Sequence, residues 1–154
     1  FNVWMHLYTR EQIERGFATV RHHLKPRGRF AFDVLLPDPT SLAREPTKRY
    51  RGGEIPHPRD GARYRYSEYF SYDPATQIET VMMDFEHPDD ESRSFCTPLT
   101  QRQFFPAELE ALLHYNGFEI QSHTGDFEGA MISAATESQV VIARLRQSRS
   151  RTSQ

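Results

Sequence analysis

The sequence has one cysteine, Cys96, so no intrachain disulfide is possible. Seven histidines without a CxxC pair give no zinc framework either, and the default setting is a reducing, cytoplasmic one. No apolar run approaches the roughly 18 residues needed to span a bilayer, and the opening FNVWMHLYTRE lacks the basic region and cleavage site of a signal peptide. A soluble protein with no membrane partner is the expectation. Excess charge is also missing: 19 basic and 21 acidic residues leave a formal charge of -2, which offers no general attraction to nucleic acid. Glycine is sparse, with no Gly-x-Gly anywhere. The only adjacent pair, Gly52-Gly53, lies in a proline-rich stretch with no strand before it and no capped helix after it, which excludes the usual phosphate-cradling turn. At 154 residues the chain suffices for one domain with a real core.

What is present is organised around KPRGRFAFDVLLPDP, Lys25 to Pro39. A Pro-Arg-Gly turn leads into Phe30 to Leu36, apolar at every position but Asp33, the pattern of a strand covered on both faces as in a parallel sheet flanked by helices. Asp33, the lone charge there, reads as a buried carboxylate that bonds a neighbouring loop or terminus. Upstream, residues 1 to 8 read as a loop. Thr9 and Gln12 then form a capping box, and Ile13, Phe17, Val20 and Leu24 recur on one face of a helix over about residues 10 to 24. Helix then strand is the second half of a βαβ unit, so the chain reads as the later part of a larger α/β domain.

Pro37 to Asp60 holds five of the ten prolines and reads as either a functional lid or a mobile segment. From Gly61 the period changes to two. RYRYSEYFSY, a turn at Asp73 to Thr76, and Gln77 to Glu86 form a hairpin, and Ser92 to Arg102 adds a third strand of an antiparallel meander. Pro106, Glu108 and the Leu109, Leu112, Leu113 stripe mark a second helix, about residues 106 to 116, stopped at Gly117. Phe118 to His123 and Ser138 to Leu145 read as strands around a glycine-bearing loop, and residues 146 to 154 as a disordered tail.

In combination, FNVWMHL, PRGRFAFDVLLPD, YDPATQ, LTQRQFFPAELEALLHYNGFEI and GDFEGAMISAATESQVVIARL resemble the C-terminal half of a class I S-adenosylmethionine-dependent methyltransferase, across about residues 1 to 145. The resemblance implies a partial Rossmann-like α/β sheet with an inserted antiparallel meander at about residues 61 to 102. Its fifth, sixth and seventh strands would be Phe30 to Leu36, Phe118 to His123 and Ser138 to Leu145, the last antiparallel between the other two. It also implies that S-adenosylmethionine is the parent's cofactor. The Gly-rich turn and the acidic ribose partner that would hold it are not found here, so none is expected bound to this chain alone.

By the same resemblance Asn2 and His6 lie on the loop beside the ligand-binding edge, with His6 the candidate base or hydrogen-bond partner of the acceptor; a packed, hydrogen-bonded histidine is the competing reading. Tyr64 and Tyr66 are candidates for acceptor binding, since their rings can stack on a cationic or planar group, and cross-strand packing explains them equally. His22 and His23, adjacent on a helix, should point apart and hold no metal. Two functions follow: the substrate-side half of a methyltransferase acting on a small-molecule acceptor, or a non-catalytic binding or assembly module. In either case the unpaired edge of the Phe30 to Leu36 strand favours a homodimer or larger assembly.

Overall fold

The computed structural model describes residues 2 to 147; the expected tail lies, but for its first two residues, outside the described residues. The chain divides into two compact units: residues up to Pro37 with those from Gln103 onward, and Asp38 to Arg102.

In the first unit the capping box forms as its residues dictate, Thr9 Oγ1 accepting from the Gln12 amide and Gln12 Oε1 from the Thr9 amide, and starts helix α1, Arg10–His23. Strand β1, Arg29–Leu35, follows, then helix α3, Pro106–Tyr115, with Pro106 in its first turn, and strands β6, Phe118–Thr124, and β7, Ser138–Leu145. The sheet order is β1-β7-β6, and both pairings are antiparallel. The strand over Phe30 to Leu36 therefore has no parallel partner among the described residues, as composition alone had suggested it would. Its apolar run is covered unequally. Phe32 and Val34 are buried, whereas Ala31 is exposed and Asp33 half-buried. Asp33 shares the more open face, so its carboxylate reaches water and needs no protein partner.

Ile13, Phe17, Leu109 and Leu113 from the helices close over Phe32, Val34, Phe118, Val141 and Ala143 to form the core. Residues 3 to 6, expected as loop, form a 3-10 turn built into that core. Met5 is fully buried, and Trp4 lies 4.5 Å from the Phe17 ring and 5.4 Å from Phe32. The segment is too short to show a helical period, so only packing reveals it.

One buried polar side chain ties this unit together. Gln139, fully buried on β7, donates from Nε2 to the carbonyls of Leu35 at 3.2 Å and Phe104 at 2.7 Å. Its Oε1 lies 3.2 Å from His123 Nε2. An amide oxygen only accepts, so that imidazole nitrogen carries the hydrogen, leaving Nδ1 facing Glu110 at 3.7 Å.

The second unit is a four-stranded antiparallel sheet, β2-β3-β4-β5, of Tyr50–Pro56, Arg63–Asp73, Ile78–Glu86 and Phe95–Arg102. The hairpin and the third strand stand as the period-two pattern indicates. Strand β2 and the short helix α2, Pro39–Leu42, instead occupy the proline-rich stretch read as lid or mobile segment. β2 escaped notice because it is an edge strand, exposed along nearly its whole length, with two glycines and no apolar alternation.

Gln139→Leu keeps the side-chain volume but removes both donors and the acceptor for His123. We expect it to cost about 2–4 kcal/mol of stability. Urea unfolding with an unchanged slope and a lowered midpoint is the expected result; an unaltered midpoint would show that the carbonyls need no such partner.

Candidate functional site

Asn2 and His6 bracket the 3-10 turn of the first unit. Asn2 takes a left-handed conformation, φ 55° and ψ 24°, and its carbonyl accepts from the Met5 amide at 2.9 Å. That bond starts the turn, and the burial of Met5 fixes its orientation. His6, next in the chain, is left exposed, with Nδ1 3.3 Å from the Tyr8 hydroxyl. Tyr8 is itself anchored, its amide donating to Gln12 Oε1 at 2.7 Å. The turn, held by core packing, thus presents a solvent-open imidazole with the Tyr8 hydroxyl beside it.

Tyr64 and Tyr66 belong to the second unit. Tyr64 is 4% exposed and packs among His57 at 5.3 Å, His87 at 5.1 Å and Phe95 at 5.8 Å, so its ring lies in that unit's interior. Tyr66 is half-buried, 4.9 Å from Phe85, and donates its hydroxyl hydrogen to Glu68. Burial, and then this bond to an acidic neighbour, push its phenol up to about 12.

Farther along the same strand, the Arg44 guanidinium stands 4.2 Å from the Phe70 ring and 5.4 Å from that of Tyr50, and the Lys48 ammonium 5.1 Å from Tyr50. Burial raises the Glu79 carboxyl above its ordinary range, and Arg44 partly offsets this. The aromatic residues of this sheet thus do hold cations, those of the chain itself. No sequence signal pointed to Arg44; its partners are set by the β2–β3 pairing.

Among the described residues no group of three or more His, Cys, Asp or Glu is placed to hold a metal. His22 and His23 do not point apart: their rings meet edge to face at 5.0 Å, with His23 Nδ1 2.9 Å from the Thr19 carbonyl. The last turn of α1 leaves both side chains room to swing together. Among the described residues no helix is long and apolar enough to cross a membrane.

A sheet with β7 antiparallel between β1 and β6, backed by α1 and α3 and interrupted by an antiparallel insertion, is a fold shared with S-adenosylmethionine-dependent methyltransferases of Rossmann-like type. The structure of the CcbJ methyltransferase from Streptomyces caelestis matches with a TM-score of 0.71 at 21% identity, over 96% of this chain and 55% of that one. An S-adenosylmethionine-dependent methyltransferase from Clostridium acetobutylicum matches at 0.69 and 16% identity, over 96% and 56%. CalS10, an amino pentose methyltransferase from Micromonospora echinaspora solved with its cofactor bound, matches at 0.61 and 15%, over 92% and 55%. The chain spans about half the length of these structures, and at such identities the likeness is one of fold. No protein-family pattern matches the sequence, and no curated protein does.

The shift at Tyr66 has a measurable consequence. Its folded value lies above the ordinary tyrosine value near 10, so the stabilisation is complete below pH about 10 and is lost as pH rises towards about 12. Wild-type protein should show this decline in urea midpoint, and Tyr66→Phe should lack that component. Identical alkaline profiles for the two proteins would refute the assignment.

Proposed function

We propose that this chain is the substrate-side portion of a cytoplasmic S-adenosylmethionine-dependent methyltransferase that acts on a small-molecule acceptor. The observation that carries this reading is the β1-β7-β6 sheet with its insertion, shared across more than nine-tenths of the chain with solved methyltransferases. On this reading the cofactor's cradle is not among these residues, since no Gly-x-Gly turn occurs in the sequence. The chain's own contribution is therefore on the acceptor side. His6 takes the acceptor's proton, with Tyr8 orienting the imidazole, and Asn2 shapes the turn that presents it. Within the second unit, taken by itself, Tyr66 is the ring proposed to stack on a cationic or planar group, with Tyr64 packed in that unit's interior.

An edge in the first unit favours a second reading. β1 pairs with β7 alone among the described residues; the turn at Met5 covers part of its other edge, the Leu35 amide lying 3.5 Å from Met5 Sδ, and the remainder of that edge has no strand partner there. In that reading the chain is a binding or assembly module, a homodimer or larger. Light scattering should give at least twice the 18.0 kDa chain mass, and a clean monomer would count against assembly through this edge.

Titration calorimetry of this chain with S-adenosylmethionine should give no micromolar isotherm; a one-to-one micromolar isotherm would show that these residues do form a cradle. In the complete enzyme, His6→Ala should lower turnover by about two orders of magnitude with cofactor affinity nearly unchanged. Because His6 is exposed, its melting temperature should stay close to wild type. Preserved turnover would remove His6 from the mechanism.

A further inference from the structure

The second unit carries a basic cleft, and Tyr66 stands in its lining. Its origin is a break in the β2–β3 ladder: the register shifts between Arg51 and Gly53, leaving Gly52 unpaired and Gly53 at φ +89°. A bulge re-aims the side chains beside it. Two glycines permit this one. A Cβ on Gly52 would come within 2.4 Å of the Tyr66 ring, and the conformation of Gly53 strains any other residue.

The bulge borders a cleft of about 330 Å³ lined by Arg49, Arg51, Arg65, Tyr66, Ser67 and Glu86, and by Glu54, which Arg63 holds at 2.8 Å. Arg49 is fixed, donating from Nε to Ser67 Oγ at 2.7 Å and bonding Asp84 at 3.1 Å and Glu86. Arg65 reaches Glu86 at 3.3 Å. Glu86 thus draws two guanidinium groups together, and the hydrogen bond from Arg49, with the charge of the arginines around it, holds its carboxyl below the usual range. Arg51 has no carboxylate within ion-pair distance among the described residues. With Arg63 and its partner included, four guanidinium groups stand against Glu54, Asp84 and Glu86 and leave one positive charge in excess.

Ser67 adds an independent indication. It is 1% exposed, accepts from Arg49, and has no acceptor for its own hydroxyl hydrogen among the described residues. The oxygen has its partner in Arg49, and the hydroxyl hydrogen is left for an acceptor in the basic cleft that Ser67 lines. An incoming oxyanion would accept from Ser67 and from Arg51, whose forked N–H groups match a phosphate's oxygens.

We propose that this cleft binds a phosphate group, as the free ion or as a phosphomonoester, with Arg51 and Ser67 as direct donors and Arg49 and Arg65 held in place by Glu86. The site rests on the second unit's residues alone and stands whether or not the chain takes part in methyl transfer.

The test is a titration of the full chain with inorganic phosphate and, separately, with glycerol 2-phosphate, at ionic strength matched with chloride. Backbone amide shifts at Arg51 to Glu54 and Ser67 are the readout. Saturable one-site shifts are expected, with dissociation constants at or below about 10 mM. Both ligands saturating identifies the group as recognised in an ester; inorganic phosphate alone saturating identifies the free ion as the ligand. Arg51→Ala, at an exposed position, should weaken binding about tenfold or more. Arg15→Ala, on the exposed face of α1, should leave it unchanged. Non-saturating shifts with both ligands, or equal weakening by the two variants, would overturn the site.

Discussion

The first unit depends on a single carboxamide. Gln139 Nε2 holds the carbonyl of Leu35, two residues before the chain leaves this unit at Pro37, and the carbonyl of Phe104, just after it returns at Gln103. A chain that departs for a whole second sheet and comes back must have its two ends fixed near one another, and the entropy of closing so long a loop opposes this. A buried amide with both donors and its acceptor engaged is strong where water cannot compete. From that junction the rest follows: β1 ends and α3 begins in register with β7, and their apolar faces meet over Phe118 and Val141.

Much of this was legible in the residues. The Thr9 and Gln12 box, Pro106 and Gly117 carry their chemistry locally, and both helices lie within a residue of where those signals put them. Tyr64 to Phe70 and Val81 to Phe85 alternate strongly enough to declare a hairpin. The order of the sheet came from the likeness of whole phrases to a known fold. Composition alone pointed to parallel strands, because an apolar run does not reveal that Ala31 is left exposed.

What stayed hidden was what only pairing creates. Strand β2 has no apolar period, and Met5 looks like any methionine in a loop until Phe17 and Phe32 close around Trp4 beside it. The basic cleft is the plainest case. Arg49 just before β2, Arg51 on it, and Arg65 and Ser67 on β3 are brought together by a register shifted at Gly52 and Gly53, and a solvated charge run is what their sequence resembles. His6 was singled out by position, and its exposure and its contact with Tyr8 came only with the three-dimensional arrangement.

The junction at Leu35 and Phe104 has an evolutionary corollary. Because Gln139 closes the point at which the chain leaves and re-enters the first unit, the segment between Leu35 and Phe104 can change in length and composition while that closure is kept. Selection can then act on the two units as separable modules. The first is constrained at nearly every buried position, and the second is free to exchange strands, charges and pockets as ligands change, so long as the chain leaves and re-enters at the same two points.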